Sequence, residues 1–555
     1  MAAAEPDRPA IHYPTRRGYE TLTFRELNAY SDRLAHGLAS VGVVRGTRTA
    51  LMVPPSPEFF ALTFALFKIA AVPVLIDPGM GVKNLGKCLG EAEPEAFLGV
   101  AKAHLARRIL GWARKSIRTT VNVGRRRFFC TRSTRELSDT GASLGEYPTP
   151  PVTADDPAAI LFTSGSTGIA KGAEYTHGIF AAQVAMLRAT YGIEPGEVDF
   201  CTFPLFALFG PALGMTCVIP EMDFSRPITI DPEKAANTIR RFGVTNFFGS
   251  PAVVRRFADS SVSPVSLATV KRALSAGAPV PADSLKRFAE KLPTSTEIFT
   301  PYGATEALPV ASIGSREILE ETRFLTDQGK GVCVGKPVAG VTVYVVPITD
   351  DAIPEWDEST CLPPGEIGEF VVRGPVVTKG YFKRPEQTRL AKIRDPRTGE
   401  TLHRMGDVGY LDDRGRLWYC GRKSHRVVTP TGTLYTEMVE GVFNTVPGVF
   451  RTALVGVVRD GFTYPVVIVE YLRGREFANA VGLPTVLGLL AALQETGRRF
   501  EVTRSVQEFL CHPGFPVDIR HNSKIFREKL AVWADKKLGP KWNPGTSTDQ
   551  PDRIG

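Results

Sequence analysis

One segment, residues 158–172 (AAILFTSGSTGIAKG), constrains the fold more than any other part of the sequence. The apolar run AAILF predicts a buried strand, and it leads directly into a loop of glycine, serine and threonine that ends at Lys171. Glycines let a backbone come close to phosphate, hydroxyl and amide groups can surround its oxygens, and a lysine supplies a point charge. Gly172 follows Lys171 where a Walker A loop needs Ser or Thr. A generic glycine-rich linker would explain neither the strand nor the lysine, so the segment predicts a phosphate-binding loop of another kind.

The pattern of residues 23–77 indicates the fold class. Apolar residues at helical spacing in FRELNAYSDRLAHGLASVG predict a helix, TALMV a strand, EFFALTFALFKIA a second helix and VPVLI another strand. Strands that alternate with helices of this length favour an α/β fold with doubly wound, mostly parallel sheets. A second alternating region extends to about residue 345, and the short strands after it predict a β-rich subdomain.

The length of 555 residues exceeds what one hydrophobic core supports, so we expect more than one domain. We expect a large N-terminal domain over residues 1–423 that contains the doubly wound sheets and the β-rich subdomain. A small, mobile α+β domain is expected over residues 424–544. The polar tail 545–555 is expected to be disordered.

Charge and cysteine content exclude several classes of protein. The formal net charge is +9, but the eleven Lys and Arg residues of the segment 102–135, which has no Asp or Glu, account for all of this excess. Because the basicity is local, we expect no nucleic-acid partner. The eight cysteines are scattered without a CxxC pair, which fits a reducing cytoplasm. We find neither a long apolar run nor a secretory signal, so we expect no membrane-spanning helix and no export.

The basic segment contains HLARRILGWARKSIR, residues 104–118, in which apolar residues recur at helical spacing among Arg and Lys. This pattern predicts an amphipathic helix. Two interpretations remain open. The helix contacts a membrane surface or an acidic partner, which would make the protein peripherally membrane-associated, or it is solvated and packs its apolar side on the sheet.

Several motifs occur in an order that resembles the adenylate-forming superfamily, which includes acyl-CoA synthetases, nonribosomal-peptide adenylation domains and luciferases. TSGSTGIAKG resembles its P-loop, SAGAPVP (275–281) its adenine-contacting segment, PYGATE (301–306) its YGxTE motif and TKGYFKRPEQT (378–388) its GYxxxPE turn. HRMGDVGYLDDRGRLWYCGRK (403–423) is similar to its ribose-binding segment, and NSKIFREKL (522–530) to its C-terminal lysine motif. The resemblance spans nearly the whole chain. It implies that ATP activates a carboxylic acid as an acyl-adenylate, with release of pyrophosphate.

The resemblance also implies which residues bind ATP and AMP. They are Thr163, Ser164, Gly165, Ser166, Thr167, Gly168 and Lys171 in the phosphate loop; Gly277, Ala278 and Pro279 in the adenine segment; and Tyr302, Gly303, Ala304, Thr305, Asp407, Arg422 and Lys524 in the later motifs. Asp407 would accept hydrogen bonds from both ribose hydroxyls, as acidic residues do in dinucleotide sites.

Four residues are implied to be catalytic: Lys171, Thr305, Glu306 and Lys524. Glu306 would bind Mg²⁺, which takes oxygen ligands and shares them with phosphates. Thr305 can donate a hydrogen bond to the α-phosphate, and Lys524 can stabilise charge on the forming acyl-phosphate bridge. A carboxylate that attacks a phosphate brings anions together, so cations suit this chemistry. We therefore expect ATP and Mg²⁺ as cofactors.

The chain departs from the superfamily pattern at several positions, among them Ala170, where the superfamily usually has Pro. Ala207 replaces the histidine of PLFHxxG, Met405 replaces the threonine of TGD, and Ser424 lies at the usual hinge position. Together with residues 76–100, these departures most closely resemble the olefin β-lactone synthetases of bacterial long-chain olefin biosynthesis. That resemblance implies a long-chain 2-alkyl-3-hydroxy acid as substrate and a β-lactone, formed when its own hydroxyl displaces AMP, as product. It also makes other olefin-pathway enzymes possible partners of the segment 102–135.

Two apolar stretches, residues 201–215 and 244–254, are expected to hold the alkyl chains. Their pocket residues would be Phe206, Ala207, Phe209, Phe248 and Gly249, although ordinary sheet and helix core would give the same pattern.

The base that takes the hydroxyl proton is not identifiable from the sequence. His177 lies shortly after the P-loop in the sequence and is expected to have a structural role. His425, near the hinge, is the more distinctive candidate.

Two other functions compete with lactone formation. The first is a fatty acyl-CoA synthetase or fatty acyl-AMP ligase that passes the acyl group to coenzyme A or a carrier protein. The second is an inactive membrane-docking scaffold, against which the retention of Lys171, Glu306, Asp407 and Lys524 argues.

Overall fold

The computed structural model describes residues 1–163, 170–472, 486–517 and 525–544. Its N-terminal part contains two large sheets flanked by helices, and a smaller C-terminal part contains two short sheets. The predicted α/β class with doubly wound sheets, a β-rich region and a smaller C-terminal domain is confirmed. The expected tail 545–555 lies outside the described residues.

The first large sheet has seven strands and carries the predicted phosphate loop. All neighbouring strands are parallel except the last pair, which is antiparallel. In spatial order the strands are Arg132–Ser133, Thr119–Asn122, Ala96–Gly99, Arg48–Met52, Val72–Leu75, Pro157–Thr163 and Lys171–Thr176.

The second large sheet has fourteen strands; one half is parallel apart from its antiparallel edge strand Gly18–Thr23, and the other half is antiparallel. The β-rich region predicted as a subdomain continues this sheet, because the strand Val332–Pro337 pairs with Ala307–Gly314 on one side and with Leu417–Arg422 of that region on the other. In spatial order the strands are Thr342–Val346, Gly368–Arg373, Thr401–Leu411, Leu417–Arg422, Val332–Pro337, Ala307–Gly314, Glu297–Ala304, Arg272–Leu274, Asn246–Phe248, Val198–Cys201, Thr216–Val218, Pro9–Thr15 and Gly18–Thr23, with Lys392–Arg394 beside Thr401–Leu411.

Helices cover the faces of both sheets. In chain order the α-helices of the N-terminal part are Phe24–Ser40, Pro57–Lys68, Val82–Ala92, Ala101–Leu110, Thr134–Thr140, His177–Tyr191, Pro204–Ala207, Phe209–Leu213, Pro232–Phe242, Pro251–Ala258, Ala282–Ala289, Ser315–Glu317, Arg323–Thr326 and Pro385–Ala391, with a π-helical turn at Ile318–Thr322. The first helix begins where sequence rules predict, since Thr23 and Glu26 form a capping box. Its inward face buries Leu34 and Leu38 completely against the first sheet's core.

One predicted helix is shorter than expected. The sequence predicts a helix over residues 104–118, whereas the structure ends it at Leu110. Gly111 adopts a left-handed conformation (φ 67°) and its N–H bonds the carbonyl of Arg107, which is how glycine terminates a helix.

The C-terminal part follows a 3₁₀ turn at Lys423–His425. It contains a hairpin of Val427–Thr429 and Gly432–Leu434 and a three-stranded sheet of Val449–Arg459, Phe462–Tyr471 and Glu508–Cys511. Its helices are Thr436–Phe443, Val486–Arg499 and Arg527–Leu538. A search of the described residues finds no helix with both the length and the apolarity to cross a bilayer.

Candidate active site

The predicted phosphate loop joins two antiparallel strands of the first sheet. Thr163 ends one strand and Lys171 begins the next, and their Cα atoms are partners in the ladder. The loop therefore begins and ends at one point on the sheet edge. Ser164, Gly165, Ser166, Thr167 and Gly168 lie outside the described residues, as does the side chain of Thr163.

Thr305 and Glu306 form the two-residue turn of a hairpin between Glu297–Ala304 and Ala307–Gly314. This hairpin lies where the second sheet changes from parallel to antiparallel pairing. A Cβ on Gly303 would lie 2.8 Å from the carbonyl oxygen of Ala307, so the hairpin needs glycine there. The hairpin thus presents the two predicted catalytic side chains at the junction of the two halves.

Hydrogen bonds from other elements hold this turn. The hydroxyl of Tyr175 donates to the carbonyl of Thr305 at 2.5 Å. The backbone N–H and the hydroxyl of Thr378 donate to the carbonyl of Glu306 at 2.9 and 3.2 Å. The first sheet and the GYxxxPE region therefore fix the turn jointly.

Lys171 and Glu306 meet around one aromatic ring, that of Tyr381. The Tyr381 hydroxyl donates to Oε1 of Glu306 at 2.6 Å, and Nζ of Lys171 lies 4.9 Å from the centre of the ring. Burial lowers the pKa of Lys171, and the charge of Glu306 opposes that shift. Oε2 of Glu306 has no hydrogen-bond or ion-pair partner within the described ranges, so this oxygen fits a ligand of Mg²⁺.

Asp407 is buried between two partners. Arg422, opposite it on the neighbouring strand, places Nη1 2.6 Å from Oδ1, and the Tyr302 hydroxyl donates to Oδ2 at 2.5 Å. The neighbouring carboxylate raises the pKa of Arg422 above its ordinary value. Three predicted nucleotide-binding residues thus form one cluster.

The predicted adenine segment follows the strand Arg272–Leu274. Gly277 has φ 100°, a conformation that favours glycine, and it is exposed together with Pro279, while Ala278 is half-buried. Because the segment leaves the carboxyl end of a parallel strand, it lies where ligands bind in open α/β sheets.

Lys524 lies outside the described residues, but the helix after it begins at Arg527. The Arg527 guanidinium bonds Glu440 at 2.6 Å and lies 3.9 Å from Glu437. Burial raises the pKa of Glu437, and the charge of Asp407 adds to that shift. The start of this helix is therefore close to the Asp407 cluster.

A cavity of about 50 Å³ lies between the helix His177–Tyr191 and the parallel half of the second sheet. Phe206, Phe209 and Phe248, three of the residues expected to hold the alkyl chains, line this cavity, and the rings of Phe206 and Phe248 stack at 4.6 Å. Ala207 is instead buried in the core, and Gly249 does not line the cavity.

The cavity contains a polar pair that the sequence analysis missed. Asp199 and Asn246 are neighbours on adjacent strands and hydrogen-bonded, and Oδ1 of Asn246 has no partner in the described part of the chain. Burial raises the pKa of Asp199 to about 6. Asp199, Cys201 and Cys217 lie within metal-ligand distance of one another, but burial raises the pKa of both thiols. Protonated thiols are poor metal ligands, so we assign no metal to them.

The two histidine candidates differ in their surroundings. His177 begins a helix, its ring lies near that of Phe67, and burial lowers its pKa. His425 is half-buried at the end of the 3₁₀ turn that leads into the C-terminal part.

Sequence reasoning also missed Tyr175, Thr378, Tyr381 and Lys392, which surround Glu306. Tyr381 belongs to the GYxxxPE motif, so that motif was the available signal. Lys392 is 8% exposed and its Nζ donates to the hydroxyl of Thr378 at 3.0 Å. Nothing in the sequence distinguishes this lysine from a surface lysine on a strand.

Comparisons with known proteins identify the family of the chain. Residues 1–382 match the AMP-binding enzyme family. The chain is 50% identical over 553 residues to the olefin beta-lactone synthetase of Stenotrophomonas maltophilia (strain K279a), covering 97% of each chain. It is 49% identical over 550 residues to the enzyme of the same name from Xanthomonas campestris pv. campestris, covering 96% of each.

The fold agrees with a solved structure of lower identity. O-succinylbenzoate coenzyme A synthetase from Bacillus subtilis, in complex with ATP and magnesium ion, matches with a TM-score of 0.73 at 21% identity, over 95% of this chain and 98% of that one. The predicted resemblance to the adenylate-forming superfamily, and within it to the olefin β-lactone synthetases, is thus confirmed. By its match over residues 1–382 and its relatives along nearly its full length, the chain belongs to the AMP-binding enzyme family.

Proposed function

We propose that this enzyme uses ATP to activate a long-chain 2-alkyl-3-hydroxy acid and then closes it to a β-lactone. The observation that carries the proposal is the 50% identity, over 97% of both chains, to an enzyme named olefin beta-lactone synthetase. The cluster of Lys171, Tyr381 and Glu306 supports the first half-reaction, because it provides a cation and an open carboxylate oxygen beside the predicted phosphate loop.

In the first step the substrate carboxylate attacks the α-phosphorus of ATP, and pyrophosphate leaves. Lys171 and Lys524 would offset the charge of the phosphates, and Thr305 would donate to the α-phosphate. Glu306 would hold Mg²⁺, which neutralises phosphate charge when bound. The nucleotide's ribose would meet Asp407, with Tyr302 and Arg422 as the groups that keep this carboxylate in place.

The remaining proposed contacts are backbone and small side-chain contacts. The phosphates would be surrounded by Thr163, Ser164, Gly165, Ser166, Thr167 and Gly168. The rest of the nucleotide would contact Gly277, Ala278, Pro279, Gly303 and Ala304. Such residues let the ligand approach the backbone closely.

In the second step the 3-hydroxyl oxygen attacks the acyl carbon, the bond to the AMP phosphate oxygen breaks, and the hydroxyl proton goes to a base. His425 is our candidate for that base, because it lies at the junction with the C-terminal part. Attack within one molecule needs no second substrate, and fixed geometry can give effective molarities of about 10⁵–10⁸ M. Exclusion of water matters because hydrolysis of the adenylate competes.

We also propose that residues 424–544 form a domain that moves relative to residues 1–423 between the half-reactions, about a hinge at Ser424. The 3₁₀ turn Lys423–His425, which separates the two sets of sheets, supports this position. Lid and domain movements of this kind complete many active sites.

The test is incubation of the protein with ATP, Mg²⁺ and a 2-alkyl-3-hydroxy acid, followed by mass spectrometry. We expect β-lactone, AMP and pyrophosphate without any thiol. A thioester formed only with added coenzyme A or carrier protein would favour the acyl-CoA synthetase or acyl-AMP ligase alternative. No AMP release from any acid would favour the inactive scaffold.

Two variants probe the assignments of single residues. Lys524→Ala should abolish adenylate formation, measured as pyrophosphate exchange, without unfolding the protein. His425→Ala should form adenylate but close the lactone slowly. Normal exchange in the first variant, or normal closure in the second, would remove that residue from the mechanism.

The segment 102–135 is a further part of the proposal. We propose that it contacts a membrane or another olefin-pathway enzyme, and its structure favours the membrane.

A further inference from the structure

The basic segment presents several large apolar side chains to solvent. In the helix Ala101–Leu110, Ile109 is 73% exposed, Leu105 51% and Leu110 48%, and only His104 is buried. These three side chains do not pack on the sheet, whereas Ala103, Ala106 and, after the helix, Trp112 pack against its core. Leu105 and Ile109 are four residues apart and share one face of the helix.

Two phenylalanines extend the same patch. Phe129 is 82% exposed and Phe128 39%, and their rings contact each other at 5.6 Å. The Arg108 guanidinium lies 5.4 Å from the ring of Phe129, which joins this pair to the helix. Both phenylalanines have positive φ (47° and 60°), a conformation that bulky residues rarely adopt. The chain thus holds two aromatic rings out of the core at a conformational cost.

The charge around the patch has one sign. The eleven Lys and Arg of residues 102–135 have no acidic neighbour within the segment. Considering only the parts of the chain that the structure describes, Arg127 and Arg135 alone among them form ion pairs, with Glu136 and Asp139. The other nine form no ion pair with a carboxylate of the described residues.

We propose that this patch, formed by Leu105, Ile109, Leu110, Phe128 and Phe129 with the surrounding Lys and Arg, docks the enzyme on an anionic lipid bilayer. Basic residues attract acidic headgroups, while phenylalanine and isoleucine enter the boundary with the acyl chains. A protein partner with acidic residues would satisfy the charges but would not require two exposed rings in strained conformations. The docking deepens the proposed function, since a substrate with two long alkyl chains would partition into the same bilayer.

The test measures co-sedimentation of the full-length protein with vesicles of phosphatidylcholine, with and without phosphatidylglycerol. We expect binding only to the anionic vesicles, weakened by added salt because screening shortens the range of the attraction. The double variant Phe128→Ser/Phe129→Ser should lower the apparent affinity about tenfold or more. Arg125→Glu/Arg126→Glu should lower it by about the same factor, since both arginines are exposed and closely precede the two phenylalanines in the chain.

Matched controls exist elsewhere on the surface. Phe324 is 50% exposed with the Arg323 guanidinium 5.1 Å from its ring, but it lies in an acidic stretch, so Phe324→Ser should bind vesicles like the wild type. Lys234→Glu/Lys336→Glu changes the net charge equally at exposed positions outside the segment, and it should also bind like the wild type.

Three outcomes would overturn the proposal. The first is equal binding of the wild type to neutral and anionic vesicles. The second is wild-type affinity for anionic vesicles in both segment variants. The third is a loss of affinity in the control variants equal to that in the segment variants. If the patch docks on a protein instead of a membrane, the wild type should bind neutral and anionic vesicles equally. AMP release from a short, water-soluble hydroxy acid, measured without vesicles, should be unchanged in the segment variants. Failure of that reaction in the wild type would count against the proposed function and not against the docking.

Discussion

Asp407 and Arg422 face each other across two antiparallel strands, with Oδ1 of the aspartate 2.6 Å from Nη1 of the arginine. The hydroxyl of Tyr302 occupies the other carboxylate oxygen at 2.5 Å. A ribose that binds Asp407 must therefore share these oxygens or displace one partner. This arrangement keeps the buried carboxylate oriented before nucleotide arrives.

Asp407→Asn should raise the KM for ATP by about 10- to 100-fold, the usual effect of losing charged hydrogen bonds to a ligand. Asparagine keeps the size of the side chain, so the fold should survive. Steady-state pyrophosphate release measures the effect. Tyr302→Phe is the matched variant, since it removes only the hydrogen bond to Oδ2 and should change KM much less. Equal KM values for Asp407→Asn and the wild type would contradict the ribose assignment.

Glu306→Gln should raise the Mg²⁺ concentration that gives half-maximal adenylation by about tenfold or more, because an amide oxygen is a weaker ligand than a carboxylate. The Tyr381 hydroxyl bonds Oε1 at 2.6 Å and would remain able to bond the glutamine. Tyr381→Phe frees that oxygen and should change the Mg²⁺ requirement less. If both variants shift the requirement equally, Glu306 acts through its hydrogen bond and not as a ligand.

Phe206→Ala should change the choice of acid without changing the KM for ATP. The cavity of about 50 Å³ is too small for a long alkyl chain, and Phe206 stacks on Phe248 at its wall. Removal of the ring should raise kcat/KM for longer acids relative to shorter ones by about tenfold, the worth of one or two methylenes. A series of acids with different 2-alkyl chains measures this ratio. A constant ratio along the series would place the alkyl chain elsewhere.

Elements with strong local signals could be predicted from the sequence. The helix Phe24–Ser40 and the strand Pro157–Thr163 have clear apolar periodicity and boundary residues, so their type and approximate limits follow from the residues alone. Gly111 shortened the predicted helix 104–118, although its position was visible in the sequence. The prediction gave more weight to the helical spacing of the apolar residues than to this one glycine. In the structure the helix ends at the glycine.

Long-range pairing could not be predicted in the same way. The strand Val332–Pro337 joins the β-rich region to the second sheet through partners about 25 and 85 residues away, which no local pattern encodes. The same limit applies to the site. Asp407 and Glu306 belong to motifs, whereas Lys392 and Asn246 lie on ordinary strands and contribute through neighbours that only folding brings together.

Lys392 leads to a prediction about stability, because a buried ammonium is costly for the folded state. Its Nζ donates to the hydroxyl of Thr378, and its partner on the adjacent strand is His403. Burial lowers the pKa of Lys392 from 10.5 to about 7, and the charge of Glu306 opposes this shift. Burial also lowers the pKa of His403, so this imidazole stays neutral above pH 7. Of these two buried groups, Lys392 is therefore the one that titrates above pH 7.

The direction in which pH changes the stability follows from the number of protons that the folded and unfolded states bind. Between pH 7 and 10.5 the unfolded chain keeps the lysine proton that the folded protein releases, so the wild type gains stability as pH rises. The slope is at most about 1.4 kcal/mol per pH unit. Lys392→Met removes this gain, so its stability relative to the wild type should be highest at pH 7 and should fall toward pH 10.

Urea unfolding of the wild type and Lys392→Met at several pH values between 7 and 10 measures this difference. Lys336→Met is the control, because Lys336 is exposed on another strand of the same sheet and its variant should follow the wild-type curve at every pH. Loss of the hydrogen bond to Thr378 would lower the stability of Lys392→Met by a constant amount and would not change the slope. A difference between Lys392→Met and the wild type that stays constant across the range would mean that Lys392 remains charged in the folded protein.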